Sequence, residues 1–281
     1  MLRMDYISRF PAPPPDVYID DLYYLEGVSP YPRLKVHPGP SLQLMVNLGP
    51  AFDVSGSHAG APVATCSESW WIGLWSTFYT VDWREPVRLY GVHFKPGGVY
   101  PFLNLPAIEL HNQVVALDAT WGRAAAELRE RLAEAPNVQA GLGVLECFLL
   151  ARLTATLPDV VHFALAQIAR RHGGLSIRAL SDDLGISQNH LGNQFKAMVG
   201  STPKQLARFS RFAHVVLSID PLEPVDWTSV AHQAGYYDLS HFDRESIALT
   251  GRNPTDYLRL RRRFRSENPG HALDVGPLPT D

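Results

Sequence analysis

Hydrophobic spacing changes once along this chain, and the change divides it. From residue 16 to about residue 115, apolar residues come in short runs cut by Gly, Pro, Asn and Asp. Leu42, Leu44, Val46 and Leu48 alternate with Gln43, Met45 and Asn47, the period-2 pattern of a half-buried strand. The runs at 17–19, 22–25, 70–75, 78–81 and 87–94 also read as strands. Several short strands separated by turn residues predict a small β-barrel or sandwich. A Pro-Ala-Pro-Pro-Pro run at 11–15 predicts an extended arm ahead of it, and the glycine turn within 95–102 closes it.

From Asp118 the spacing becomes three and four. Residues 121–134 are rich in helix formers, with Asp118 or Thr120 as N-cap and Pro136 beyond the end. A second helix over 138–156 carries Leu142, Leu145, Leu149 and Leu153 on one stripe. That stripe predicts a homodimer through 118–157, the alternative being two helices laid on the β-domain. The division is α+β: a β-rich effector-binding domain at 1–117, linker and dimerisation helices at 118–157, a helical domain at 158–265, and a disordered tail at 266–281.

The helical domain contains one pattern twice. A short amphipathic segment meets a glycine (Gly185, Gly235), a capping residue follows (Ser187, Asp238), and a second amphipathic helix stops at Gly-x-x-Pro (Gly200 to Pro203, Gly251 to Pro254). Helix, glycine turn and second helix make a helix-turn-helix, here duplicated. In the first copy Leu191, Phe195 and Met198 face inward, leaving Gln188, Asn189, Gly192, Asn193 and Lys196 outward. Their amide side chains can pair with adenine in a major groove. In the second, Phe242, Ile247 and Leu249 are expected to be buried, and Ser240, His241, Asp243 and Arg244 to face outward. Lys204 and Arg252 extend the expected contact set, and Arg259, Arg261, Arg262, Arg263 and Arg265 form a basic run suited to phosphate.

Charge follows the same division. Residues 1–157 carry 11 Lys and Arg against 15 Asp and Glu, whereas residues 158–265 carry 14 against 10. Only the helical half is suited to a polyanion. Aromatic residues concentrate in the β-rich half, and Trp70, Trp71, Trp75, Tyr79, His93, Phe94 and Tyr100 are candidates to line an effector pocket. His37, His58, His93 and His111 lack metal-ligand spacing, two cysteines provide no disulfide framework, and no motif for an enzyme or cofactor occurs. The chain also has no apolar run of membrane-spanning length or signal-peptide pattern, which predicts a cytoplasmic protein.

Ser187, Leu191, Phe195, Lys196, Gly200, Thr202, Pro203 and Arg211, then Val230, Ala231, Gly235, Tyr236, Asp238, Ser240, His241, Phe242, Arg244, Gly251, Pro254 and Tyr257, resemble the signature of AraC-type transcription factors across about 160–262. The resemblance implies two helix-turn-helix subdomains joined by a long helix, each placing a helix in successive major-groove segments of double-stranded DNA. It implies base reading by Asn189, Asn193, Ser240, His241 and Arg244. RNA polymerase is a further partner that such a regulator would meet. The second unit departs from the pattern: Ser246 and Ile247 stand where the family has phenylalanine then lysine, and Thr250 where it has an aromatic. Looser packing is expected there, with Asp243 and Glu245 repelling phosphate beside Arg244. The function expected is transcription regulation under a small-molecule effector, the alternatives being an effector-independent regulator whose N-terminal domain serves assembly, and an enzyme fused to a DNA-binding domain.

Overall fold

A computed structural model describes residues 4–29, 31–57, 61–220, 223–267 and 278–280. The N-terminal part contains strands β1 (Met4–Arg9), β2 (Ile19–Gly27), β3 (Arg33–Val36), β4 (Gln43–Asn47), β5 (Phe52–Ser55), β6 (Ala64–Cys66), β7 (Ser69–Ile72), β8 (Tyr79–Asp82), β9 (Val87–Phe94) and β10 (Val114–Ala116). Helices α1 (Asp118–Trp121), α2 (Arg123–Ala133) and α3 (Val138–Leu150) follow. The helical part comprises α4 (Asp159–Arg170), α5 (Ile177–Asp183), α6 (Gln188–Val199), α7 (Pro203–Ser218), α8 (Trp227–Gln233), α9 (Leu239–Thr250) and α10 (Pro254–Glu267). A short strand, β11 (Leu278–Pro279), comes last.

Two antiparallel sheets form, ordered β1-β2-β9-β4-β7-β10 and β11-β3-β8-β5-β6. They form a sandwich and do not close into a barrel. The six-stranded sheet is the middle layer, so both of its faces are buried and successive residues enter different cores. Tyr23, Trp70, Ile72 and Leu89 point at the second sheet, where they meet Phe52, Val54, Tyr79 and Val81. Leu22, Trp71, Tyr90, Val92 and Phe94 point the other way, against Leu128, Leu132, Leu142, Leu145 and Leu149 of α2 and α3.

That packing gives the leucine stripe a use within one chain: Leu142, Leu145 and Leu149 are buried against the sheet, as in the alternative of two helices laid on the β-domain. Val17 sits in a 3-10 turn (Pro15–Val17) and not in a strand. The strand β1 precedes the proline run and pairs with β2 along its whole length, so 11–15 connects two elements and is not a leading arm. Within the expected disordered tail at 266–281, α10 runs to Glu267 and Leu278 and Pro279 pair with Lys35 and Leu34 of β3, while 268–277 and 281 lie outside the described residues.

In the helical part α7 serves two cores. Leu206 and Ala207 close the first, with Val161, Ile168, Leu180, Leu191 and Phe195. Phe209, Phe212, Val215 and Val216 enter the second, with Ala231, Tyr236, Phe242, Leu249 and Tyr257. A single 16-residue helix therefore joins the two units.

Candidate functional site

Each helix-turn-helix begins from local chemistry. The Ser187 and Asp238 side chains accept hydrogen bonds from the backbone N–H of His190 and His241, capping α6 and α9. Gly200 and Gly251 end the two helices at φ 81° and 74°, in the left-handed region open to glycine. On α6 the side chains of Gln188, Asn189, Asn193 and Lys196 are exposed, and Gly192 faces open space, where a Cβ would meet nothing within 4 Å. The structure thus brings the five predicted residues of the first unit onto one free face. Lys204 is exposed in the first turn of α7.

In the second unit the outward face of α9 carries Ser240 and Arg244, both exposed, with His241 half-buried edge-on to Tyr236. Tyr237, 90% exposed just before the α9 cap, stands beside them and has no counterpart in the predicted set. Its position in the turn, where a large apolar side chain has no core to enter, was the available signal. The inward face differs from expectation. Phe242, Glu245, Ser246, Leu249 and Thr250 are buried, following the helical period, whereas Ile247 falls outside it and is half exposed.

Glu245 therefore does not confront DNA. Its carboxylate accepts from Arg208 Nε at 3.0 Å and from the Tyr236 hydroxyl at 2.8 Å. Burial and that carboxylate together drive the Tyr236 pKa far above the ordinary phenol value. Ser246 and Thr250 are not packing defects either: both hydroxyls donate to the Arg252 carbonyl, at 2.9 and 3.0 Å, and fasten the turn into α10.

The basic run is divided. Arg261 is buried and donates to the Val216 carbonyl at 2.6 Å, while Arg262 reaches the Glu223 carbonyl and Arg259 pairs with Asp256. Arg252 donates to the Thr280 carbonyl at 2.6 Å, so its head group is engaged by the segment that forms β11. The side chain of Arg265 lies outside the described residues.

The effector-pocket candidates do not converge. Trp70, Trp75 and Tyr79 are buried between the sheets, while Trp71 and Phe94 are buried under the helices on the opposite face. Adjacent strand residues point to opposite sides, so Trp70 and Trp71 cannot line one cavity. His93 stacks on Tyr23 and binds Asp21 at 2.6 Å, and Tyr100 sits half-buried in a 3-10 turn. Burial raises the Asp21 pKa, but hydrogen bonds from His93 and Tyr6 and the His93 charge outweigh it, leaving the group below its usual value. His58 lies outside the described residues. A groove of about 520 Å³ lies elsewhere, on the outer side of β3 and β8, lined by Tyr31, Arg33, Lys35, Thr80, Asp82, Arg84, Pro279 and Thr280.

The N-terminal domain touches both helix-turn-helix units, a feature with no periodic trace in the sequence. At the first unit His111 Nδ1 lies 3.1 Å from the Gly200 carbonyl. A carbonyl only accepts, so Nδ1 carries the proton and Nε2 of the neutral ring accepts from Ser76 Oγ at 2.7 Å. Gln205 Nε2 donates to Ser76 Oγ at 2.9 Å and completes the bridge. Burial lowers the His111 pKa, opposed by the Gly200 bond. At the second unit Lys35 lies over the Phe78 ring and donates to the Thr250 carbonyl at 3.3 Å. His37 packs edge-on against Tyr257, buried, with neither ring nitrogen hydrogen-bonded among the described residues.

Two families match separate stretches of the chain. A family described as a domain of unknown function, DUF6597, matches residues 8–116, and a helix-turn-helix domain family matches residues 180–260. No curated protein matches the chain. Among solved structures, ToxT from Vibrio cholerae aligns at 8% identity and TM-score 0.45, over 90% of this chain and 98% of that one. An unsaturated fatty acid bound ToxT from Vibrio cholerae strain SCE256 aligns at 11% identity and TM-score 0.43, over 84% and 93%. The AraC-like transcriptional activator CuxR aligns at 16% identity and TM-score 0.27, over 76% and 86%. With two capped helix-turn-helix units on one bridging helix, the C-terminal part of this chain matches a helix-turn-helix domain family, and its N-terminal part matches a family described as a domain of unknown function.

Proposed function

We propose that this protein is a sequence-specific DNA-binding transcription regulator whose N-terminal domain governs how its two helix-turn-helix units engage double-stranded DNA. The observation that carries the reading is the α6 face, where Gln188, Asn189, Asn193 and Lys196 stand exposed on a capped helix and none is drawn into the core. Neutral amides in that position are base-reading groups, and the lysine supplies a phosphate contact. Arg244 on α9 is the matching guanine-reading group of the second unit. Reading by both units requires adjacent major-groove segments roughly one helical turn, ~34 Å, apart.

Effector control is part of the proposal. The groove beside β3 and β8 supports a small anionic ligand, because the exposed Arg84 stands at its wall beside the Arg33–Asp82 ion pair. Selection of bound sequences from random duplexes with the full chain tests the main reading. A defined site in two segments is expected; failure to enrich any sequence at physiological salt would overturn it.

A further inference from the structure

The described residues 278–280 sit where the two halves of the molecule meet. Leu278 and Pro279 add an edge strand to the N-terminal domain, antiparallel to Lys35 and Leu34. The Leu278 side chain is 3% exposed and belongs to the core of the second helix-turn-helix unit, with Phe264 and, from the N-terminal domain, Tyr31. The Thr280 carbonyl accepts from Arg252, in the turn between α9 and α10. A segment of three residues thus makes backbone bonds to one domain, side-chain packing in the other, and a hydrogen bond to the turn that follows α9.

We propose that Leu278–Thr280 is a strap that clamps the second helix-turn-helix unit onto the N-terminal domain and fixes its setting relative to the first. This rests on the DNA-binding reading. The strap is built to release: Pro279 has no N–H to give the ladder, and the strand is two residues long. It covers no part of the outward faces of α6 or α9, where Asn193 and Arg244 are exposed. Its effect is therefore on the spacing of the two units and not on access to them. Pro279 and Thr280 also wall the groove beside β3, so a ligand seated there touches the strap directly.

Two variants release it: Leu278→Asp, which puts a carboxylate where the leucine is buried, and a chain ending at Glu267. Hydrogen exchange reads the clamp without DNA. Amides of residues 33–36 and of α9 are expected to exchange about tenfold faster in both variants, while α6 and β9 keep their protection. On selected DNA, inserting about three base pairs between the two segments is expected to weaken the intact protein by about tenfold or more and the released variants by less than about threefold. Unchanged exchange at 33–36 and α9, or an equal spacing penalty in folded variants, overturns the strap. If the intact protein binds no DNA, the functional reading falls and exchange alone decides the strap.

Discussion

Arg244 and Glu245 are neighbours in sequence with opposite surroundings. The first is exposed on α9; the second is buried against Tyr236 and Arg208. Arg244→Ala is expected to weaken specific DNA binding by ~1–3 kcal/mol and to relax preference at one base position, measured by titration against selected and scrambled sites. Glu245→Ala acts on stability, costing about 1–3 kcal/mol in denaturant unfolding because the buried Tyr236 hydroxyl loses its partner. His37 supplies a pH dependence. Burial, then the charges of Lys35, Arg252 and Arg261, lower its pKa from the ordinary 6.5 to about 3. Below 6.5 the unfolded chain takes up a proton that the folded chain refuses. Its contribution to stability is therefore intact at neutral pH and lost progressively as pH falls from 6.5 towards 3, with a slope of up to about 1.4 kcal/mol per pH unit. His111, also lowered by burial, acts in the same direction as pH falls below 6.5. His37→Phe should flatten the slope in melts across that range; an unchanged slope would show that the ring titrates normally.

At the level of elements, whatever obeys a local rule could be read directly. Ser187, Asp238 and the glycines at 200 and 251 announce helix starts and stops, and the structure places them there. Replacing Ser187 or Asp238 by alanine should cost about 1 kcal/mol each, seen as a lower midpoint in thermal unfolding. Elements that depend on distant partners were harder to read. β3, β5 and β11 are short strands whose pairing is set by residues tens of positions away, so their own sequences show little alternation. The middle sheet hides its period because both faces are apolar, so Trp70 and Trp71 read as one aromatic patch until the two cores separate them. Ile247 was misplaced for a related reason: hydrophobicity suggested burial, but the positions 242, 245, 246, 249 and 250 already complete the buried face of α9.

On the scale of the whole molecule, the N-terminal domain holds the first unit through His111 and Ser76 and the second through Lys35, His37 and Tyr31. Coupled domains melt together, so calorimetry of the intact protein should give a single transition. His111→Ala combined with Lys35→Ala removes a bond to each unit, and the expected result is two resolved transitions. A persistent single transition would mean that the bridging helix alone couples the parts. The junction at Gly200 is tight: at φ 81° and with the Ala107 carbonyl 3.0 Å from where a Cβ would stand, the end of α6 rests directly on the N-terminal domain. While the strap holds, the two units keep their setting and the duplex must bend to meet them. Bending about 20–30 base pairs by 40–90° costs on the order of 1–6 kcal/mol, and less where pyrimidine–purine steps yield. Base pairs between the two segments, touched by neither helix, would then be chosen for their flexibility.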